Sequence, residues 1–171
     1  MSADSNSDSL VIVALGSNLG DSERLLRDAF ARLASQATSG FQHSSLWTSE
    51  PVDCPPGSPP FLNAVAVWLP RPGESPESLI LSLQRCEREL GRRSKVVMNE
   101  PRPIDLDLIA FARERRDRDE LTIPHPRAHL RRFVLAPLAE ITPDYQLPGQ
   151  AHSIASLLSS LPTEPKVMRL H

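Results

Sequence analysis

Only two cysteines, Cys54 and Cys86, occur among the 171 residues of this chain. Two thiols cannot build a four-cysteine zinc site or a disulfide framework, and isolated thiols of this kind fit a reducing compartment. Glycine, at 7 residues, is too rare for a collagen-like chain, and the 17 prolines are scattered rather than periodic. An excess of one charge is missing as well, since 19 basic side chains stand against 21 acidic ones for a net charge of -2. That balance excludes a strongly basic protein that coats nucleic acid or an anionic membrane, though not a local basic site. Long apolar runs are absent near the N-terminus. The run at residues 10–15 is far short of the ~20 residues that a spanning helix needs. Residues 1–9 are rich in Ser and Asp and lack the basic start of a signal peptide. A cytoplasmic protein is expected, with no membrane and no nucleic acid as partner.

What is present suffices for one domain. Apolar residues make up 40% of the chain, and a protein of this length buries about 70% of its unfolded surface on folding. The expected boundaries are a polar tail at 1–9, a single domain at 10–161 and a C-terminal tail at 162–171. The β-branched run at 10–15 reads as a strand buried on both faces. Leu25, Leu26, Ala29, Phe30 and Leu33 fall at helical spacing in a helix over 22–35, with Asp21 or Ser22 as cap. Residues 41–48 read as a second strand, 49–60 as a proline-rich loop, and 61–69 as a third strand. In that third strand Phe61, Asn63, Val65 and Val67 share one face. A second helix starts at Ser75-Pro76 and stops before Gly91. A charged loop over 92–103 leads into a strand over 104–111. Residues 113–120 carry four arginines and four acids and read as a solvated hairpin tip before a short strand at 121–123. Helices are expected over 133–141, with Pro137 near the first turn, and over 153–161. The order β-α-β-β-α-β-β-α-α predicts an α+β fold of ferredoxin-like topology, a central mostly antiparallel sheet with helices packed on it.

The densest chemistry lies in Pro101-Arg102-Pro103-Ile104-Asp105-Leu106-Asp107. Residues two apart on a strand share a face, so Asp105 and Asp107 stand side by side while Ile104, Leu106 and Leu108 face the core. Two adjacent carboxylates are either an exposed acidic face or a seat for a hard cation. Mg²⁺ takes one or two protein carboxylates and completes its shell with phosphate and water. Arg92 and Arg102 flank the loop before the acids, and arginine forks bind phosphate and neutralise developing charge. Thr122, His125 and Arg131 follow. His125 reads as a structural hydrogen-bonder or a site residue, and Phe61 and Phe133 as core or as a stacking platform. Gly16-Ser17-Asn18-Leu19-Gly20 lacks the Gly-Lys-Ser/Thr of a P-loop and reads as a tight turn before the first helix.

Taken in order, several stretches resemble the 6-hydroxymethyl-7,8-dihydropterin pyrophosphokinase family. They are ALGSNLGD at 14–21, FLNAVA at 61–66, Gln84 with Glu87, LGR at 90–92, PRPIDLDLI at 101–109, TIPHPR at 122–127 and RRFVLAPLAEI at 131–141. The resemblance implies transfer of the β,γ-diphosphate of ATP to the hydroxymethyl group of a reduced pterin, leaving AMP, in folate biosynthesis. It implies two Mg²⁺ ions held by Asp105 and Asp107, with Arg92 and Arg102 on the phosphates. It implies a pterin stacked between Phe61 and Phe133, its polar edge on Asn63 and on the loop from Ser49 to Val52. Gln84, Glu87, Arg92, Arg102, Leu108, Thr122, His125 and Arg131 are implied as ATP contacts, in a protein acting as a monomer. The chain departs from the family pattern at Ser94 and Glu120, where basic residues occur, and at Met98-Asn99-Glu100, where a basic residue, Trp and Gly are usual. Glu50 stands where proline is common. The loop over 92–102 is expected to be mobile and to close over ATP. The alternatives are an inactive relative that keeps the fold, or a two-metal phosphodiesterase using the same aspartates.

Overall fold

The computed structural model describes residues 9–171, so most of the expected N-terminal tail lies outside the described residues. Among them, β1 (Val11–Ser17), α1 (Ser22–Gln36), β2 (Gln42–His43), β3 (Trp47–Ser49), β4 (Phe61–Trp68), α2 (Pro76–Glu89) and β5 (Asp105–Phe111) follow in order. Then come β6 (Arg116–Arg118), β7 (Leu121–Ile123), a 3-10 turn at Ala128–Leu130, α3 (Arg132–Ile141), α4 (Ile154–Ser160) and β8 (Val167–Arg169). The main sheet runs β5-β1-β4-β3-β8 with β2 also on β4, and its neighbours are antiparallel throughout. The order of its first four strands is the ferredoxin-like arrangement that the element order predicts.

Alternation along the strands divides the core into two layers. Val11, Val13 and Leu15 of β1, with Ala64, Ala66 and Trp68 of β4, pack under Leu26, Phe30 and Leu33 of α1 and Leu79 and Leu83 of α2. On the opposite face Ile12, Val65, Val67 and Ile109 meet Val134, Leu135 and Leu138 of α3 and Ile154 of α4. The helices start where the caps dictate. The Asp21 carboxylate accepts from the Arg24 N–H at 3.2 Å. Ser75 and Ser78 form a reciprocal capping box ahead of Pro76.

The structure corrects four expectations. The single strand expected over 41–48 is two short ones. The Ser44 hydroxyl accepts from the Val65 N–H at 3.0 Å, while the Ser45 N–H turns to the Glu140 carboxylate at 3.1 Å, so the ladder breaks between β2 and β3. The hairpin over 113–120 is not all tip, since β6 pairs with β7. Pro137 lies in the middle of α3 rather than in its first turn. The expected C-terminal tail supplies β8, which pairs with β3 through Trp47 and Arg169, Thr48 and Met168, and Ser49 and Val167.

Candidate functional site

Three central strands put the candidate residues in rows. Gly16 of β1 lies between Asp105 of β5 and Asn63 of β4, and Ala14 lies between Asp107 and Val65. Asp105, Asp107, Asn63 and Phe61 therefore share the face that carries α3, at the end of the sheet that α3 leaves open. A cavity of about 220 Å³ opens there. Its walls include Ser49, Val52, Phe61, Asn63, Arg102, Asp105, Asp107, Arg131 and Phe133, nine residues that the sequence singles out. Gly16 forms its floor, where an added methyl would reach Phe61 and Asn63 at 3.6 and 3.7 Å. The Asn63 side-chain amide donates to the Ser49 hydroxyl at 2.7 Å, which fixes the orientation of a buried polar group at the inner end.

The end of α2 delivers Arg92. Gly91 adopts φ 99°, and the Gly91 and Arg92 N–H groups donate to the Arg88 and Glu87 carbonyls at 3.1 and 2.9 Å. This is a Schellman stop, which favours glycine at its left-handed position. The chain reverses there, and the Arg92 guanidinium donates to Glu87 at 2.8 Å and to Asp105 at 2.6 Å. The other Glu87 oxygen accepts from the Leu106 N–H at 2.8 Å, so one carboxylate ties α2 to β5. Burial pushes the Glu87 carboxyl up. Arg102 approaches Asp105 from the other side at 3.6 Å.

The ion pairs among the described residues reach Asp105, not Asp107. Burial and the neighbouring Asp105 push the Asp107 carboxyl up to about 7. Asp107 forms no ion pair among the described residues, and the fields of Arg131 and Arg92 do not offset its burial, so a bound cation would relieve it. A second deficit is the Arg102 Nε, buried with no hydrogen-bond acceptor. A donor in that state suits an oxyanion. Both deficits fit Mg²⁺ and phosphate oxygens.

Each candidate aromatic carries an arginine. The Arg102 guanidinium lies 5.9 Å from the Phe61 ring centre, and that of Arg131 lies 5.5 Å from Phe133. Phe133 also packs against the α3 layer while lining the cavity, so it belongs in part to the core. His125 is bound through its backbone, the N–H donating to the Ile109 carbonyl at 2.8 Å. Its Nδ1 faces the Arg127 N–H at 3.1 Å. Burial, with Arg131 and Arg127 nearby, lowers its pKa to about 4.

Not every candidate joins the cavity. Gln84, Glu87, Arg92, Leu108, Thr122 and His125 do not line it, although Glu87 and Arg92 reach it through Asp105. Leu108 is buried in the layer under α1 and α2, so only its backbone is free to serve a ligand. The Thr122 hydroxyl donates to the Arg118 carbonyl at 3.0 Å. Conversely, sequence reasoning gave no role to Asn18, Asp53, Cys54, Asn99 or Arg127. Asn18 pins the 92–103 loop at its base: its Oδ1 accepts from the Arg102 N–H at 2.9 Å, and its N–H donates to the Arg102 carbonyl at 3.2 Å. Asn99, at φ 54°, donates to the Asp53 carbonyl at 2.9 Å, joining the two loops over the cavity. Nothing in GSNLG beyond a tight turn marks Asn18; its burial and its bonds to Arg102 come from the fold.

An aromatic cleft beside paired carboxylates and clustered guanidiniums, on a ferredoxin-like sheet, defines a small-molecule phosphotransfer enzyme. Residues 12–143 match the family model described as 7,8-dihydro-6-hydroxymethylpterin-pyrophosphokinase. The chain belongs to that family, which comprises ATP-dependent pyrophosphokinases of folate biosynthesis. It is 41% identical over 133 residues to the 2-amino-4-hydroxy-6-hydroxymethyldihydropteridine pyrophosphokinase of Bacillus subtilis, covering 77% of each chain. It is 37% identical over 157 residues to the protein of that name from Pseudomonas aeruginosa, covering 90% of this chain and 93% of that one. It is also 37% identical over 151 residues, 88% of its length, to the folic acid synthesis protein fol1 of Pneumocystis carinii, but spans only 20% of that longer protein. The fold matches the crystal structure of wild-type Plasmodium falciparum HPPK-DHPS with a TM-score of 0.65 at 13% identity, covering 88% of this chain and 40% of that one. No helix among the described residues is long and apolar enough to cross a membrane.

Proposed function

We propose that this chain transfers the β,γ-diphosphate of ATP to the hydroxymethyl oxygen of 6-hydroxymethyl-7,8-dihydropterin, releasing AMP. The observation that carries this reading is one cavity walled by Phe61, Phe133 and Asn63 and also by Asp105, Asp107 and Arg102. The flat ring lies between Phe61 and Phe133, with its polar edge toward Asn63 and the loop from Ser49 to Val52. Asp105 and Asp107 hold two Mg²⁺ ions, which when bound neutralise the phosphate oxygens. Glu87 fixes Arg92, and Arg92 fixes Asp105. The Arg102 guanidinium, with its Nε awaiting an acceptor, follows the transferring group.

The hydroxymethyl oxygen forms its bond to the β-phosphorus as the bond to the leaving AMP oxygen breaks. Transfer of this kind needs positioning and charge stabilisation rather than a covalent protein nucleophile. Among the described residues no third acid, Cys or His completes a metal cage with these aspartates, consistent with phosphate oxygens filling the shell. For a phosphodiesterase reading, Glu50 and Asp53 also line the cavity, but among the described residues neither groups with Asp105 and Asp107 as a third metal ligand. The protein acts in the cytoplasm as a monomer. Incubation with ATP, Mg²⁺ and 6-hydroxymethyl-7,8-dihydropterin should yield AMP and the pterin diphosphate. ADP or inorganic phosphate in their place would overturn the proposal.

A further inference from the structure

The 3-10 turn at Ala128–Leu130 is bracketed by two arginines, Arg127 before it and Arg131 after it. The turn fixes their spacing, because the Leu130 N–H donates to the Arg127 carbonyl at 3.1 Å and the Arg131 N–H to the Ala128 carbonyl at 3.2 Å. The bond from the Arg127 N–H to His125 Nδ1 anchors the backbone from which the Arg127 side chain departs. Both arginines line the cavity.

Neither arginine forms an ion pair among the described residues, although the fields of Asp107 and Asp105 favour the charge on Arg131. At this site the ion pairs among the described residues join Arg92 or Arg102 to Glu87 or Asp105, and none reaches Arg127 or Arg131. Arg131 lies against the Phe133 ring instead. The field of Arg127 opposes the charge on Arg131 and on a protonated His125. Two cations set side by side on a cavity wall repel each other, and a multiply charged anion between them removes that cost. Arg127 is exposed at the rim, so its guanidinium can reach an entering anion, and among the described residues its side chain forms no ion pair.

We infer that Arg127 is a phosphate-binding residue of this site, which together with Arg131 grips the diphosphate that leaves ATP and arrives on the pterin. The inference rests on the proposed diphosphate transfer. Its chemistry is an arginine fork on phosphate oxygens, offered from the 3-10 turn rather than from the 92–103 loop. A residue acting this way discriminates between ligands that carry a diphosphate and those that carry only the ring.

The test is calorimetry on the full chain with two probes, inorganic diphosphate and 6-hydroxymethylpterin, for the parent, Arg127→Ala and Arg127→Lys. AMP formation is measured on the same preparations. Loss of a charge-assisted contact at an exposed rim should weaken diphosphate binding by about ten-fold in Arg127→Ala. The KM for ATP should rise by a similar factor, and Arg127→Lys should recover part of the loss. Ring affinity and melting temperature should stay at parental values. Diphosphate affinity within two-fold of the parent overturns the inference, as does a parent that binds no diphosphate at millimolar concentration. A parallel loss of ring affinity also overturns it, because the side chain would then only support the fold. A parent that binds diphosphate but makes no AMP sinks the proposed reaction and leaves the Arg127 result readable. A parent that makes AMP while Arg127→Ala binds diphosphate normally sinks Arg127 alone.

Discussion

Replacing Asp107 with Asn should inactivate the protein and, without metal, stabilise it. The reason is the carboxyl held up to about 7 by burial and by Asp105, against an unfolded value near 3.8. Below the unfolded value the group is protonated in both states and contributes nothing. As pH rises from there to about 7, the unfolded chain ionises first, and folding loses stability. Above the folded value the penalty is complete. Each tenfold change in proton affinity between the two states corresponds to ~1.4 kcal/mol, so a carboxyl displaced this far costs the fold at most ~4 kcal/mol. Solvent in the cavity screens the charge, and the Asn amide must itself be hydrated. An effective gain of about 1–2 kcal/mol at pH 8 is the working figure.

The assay is urea unfolding of parent and Asp107→Asn in chelator, at pH 8 and pH 5. The variant should be the more stable at pH 8, and the gap should narrow at pH 5, where the parental carboxyl is largely protonated. Added Mg²⁺ should stabilise the parent more than the variant, because binding to the native state raises its stability by mass action. Turnover should fall at least 10²-fold, the scale for losing one stabiliser of developing charge. A variant less stable than the parent at pH 8, or a gap that does not change with pH, would refute the reasoning that the acids await a cation.

Stability should also fall as pH drops from about 6.5 toward 4, because the unfolded chain protonates His125 before the native state does. In His125→Gln this part of the acid limb should flatten, as read from melting temperatures across that window. Gly91→Ala should cost about 1–2 kcal/mol, since φ 99° is strained for any side chain. It should also lower kcat by displacing Arg92, and parental kcat in a destabilised variant would break that link. Phe61→Ala and Phe133→Ala should each weaken pterin binding several-fold, the scale of a lost stacking partner. Phe133→Ala alone should also lose fold stability, because Phe133 packs against the α3 layer; unchanged pterin affinity in both variants would remove the aromatic platform.

Much of this site is visible before any coordinates. Alternation fixes the faces of β4 and β5, so Asn63 beside Phe61 and Asp105 beside Asp107 follow from period two alone. The cap at Ser75, Pro76 and the stop at Gly91 likewise follow from local backbone chemistry. What escapes the sequence is set by side chains that bond to distant backbone. Ser44 and Ser45 break a strand because Val65 and Glu140 sit opposite them. Asn18 reads as part of a turn, and only the fold shows that it holds Arg102, 84 positions away. The strand β8 has three residues with Met168 exposed, so no periodicity marks it. Gln84 entered through resemblance and Thr122 through its place after the paired aspartates, and neither lines the cavity.

The departures at Ser94 and Met98-Asn99-Glu100 fall in one loop, away from Glu50 after β3 and Glu120 between β6 and β7, and the structure shows what stands in that loop instead. Glu100 accepts from the Val96 and Val97 N–H groups at 3.0 and 3.1 Å, which folds the loop tip back on itself and lowers the Glu100 pKa. Asn99 takes a left-handed conformation that Asn tolerates better than most residues and spends its amide on Asp53. Val96, Val97 and Met98 are left exposed. The loop therefore has polar anchors at its base, through Asn18, and at its far side, through Asp53, with an apolar tip between them. Arg92 and Arg102, just outside these anchors, are held by Glu87, Asp105 and Asn18 whatever the tip does. The residues proposed to handle charge are thus tied to α2 and the sheet, and the altered residues of this loop lie where it is proposed to cover the cavity. Substitutions at the tip should accordingly change ligand entry and release more than the chemical step.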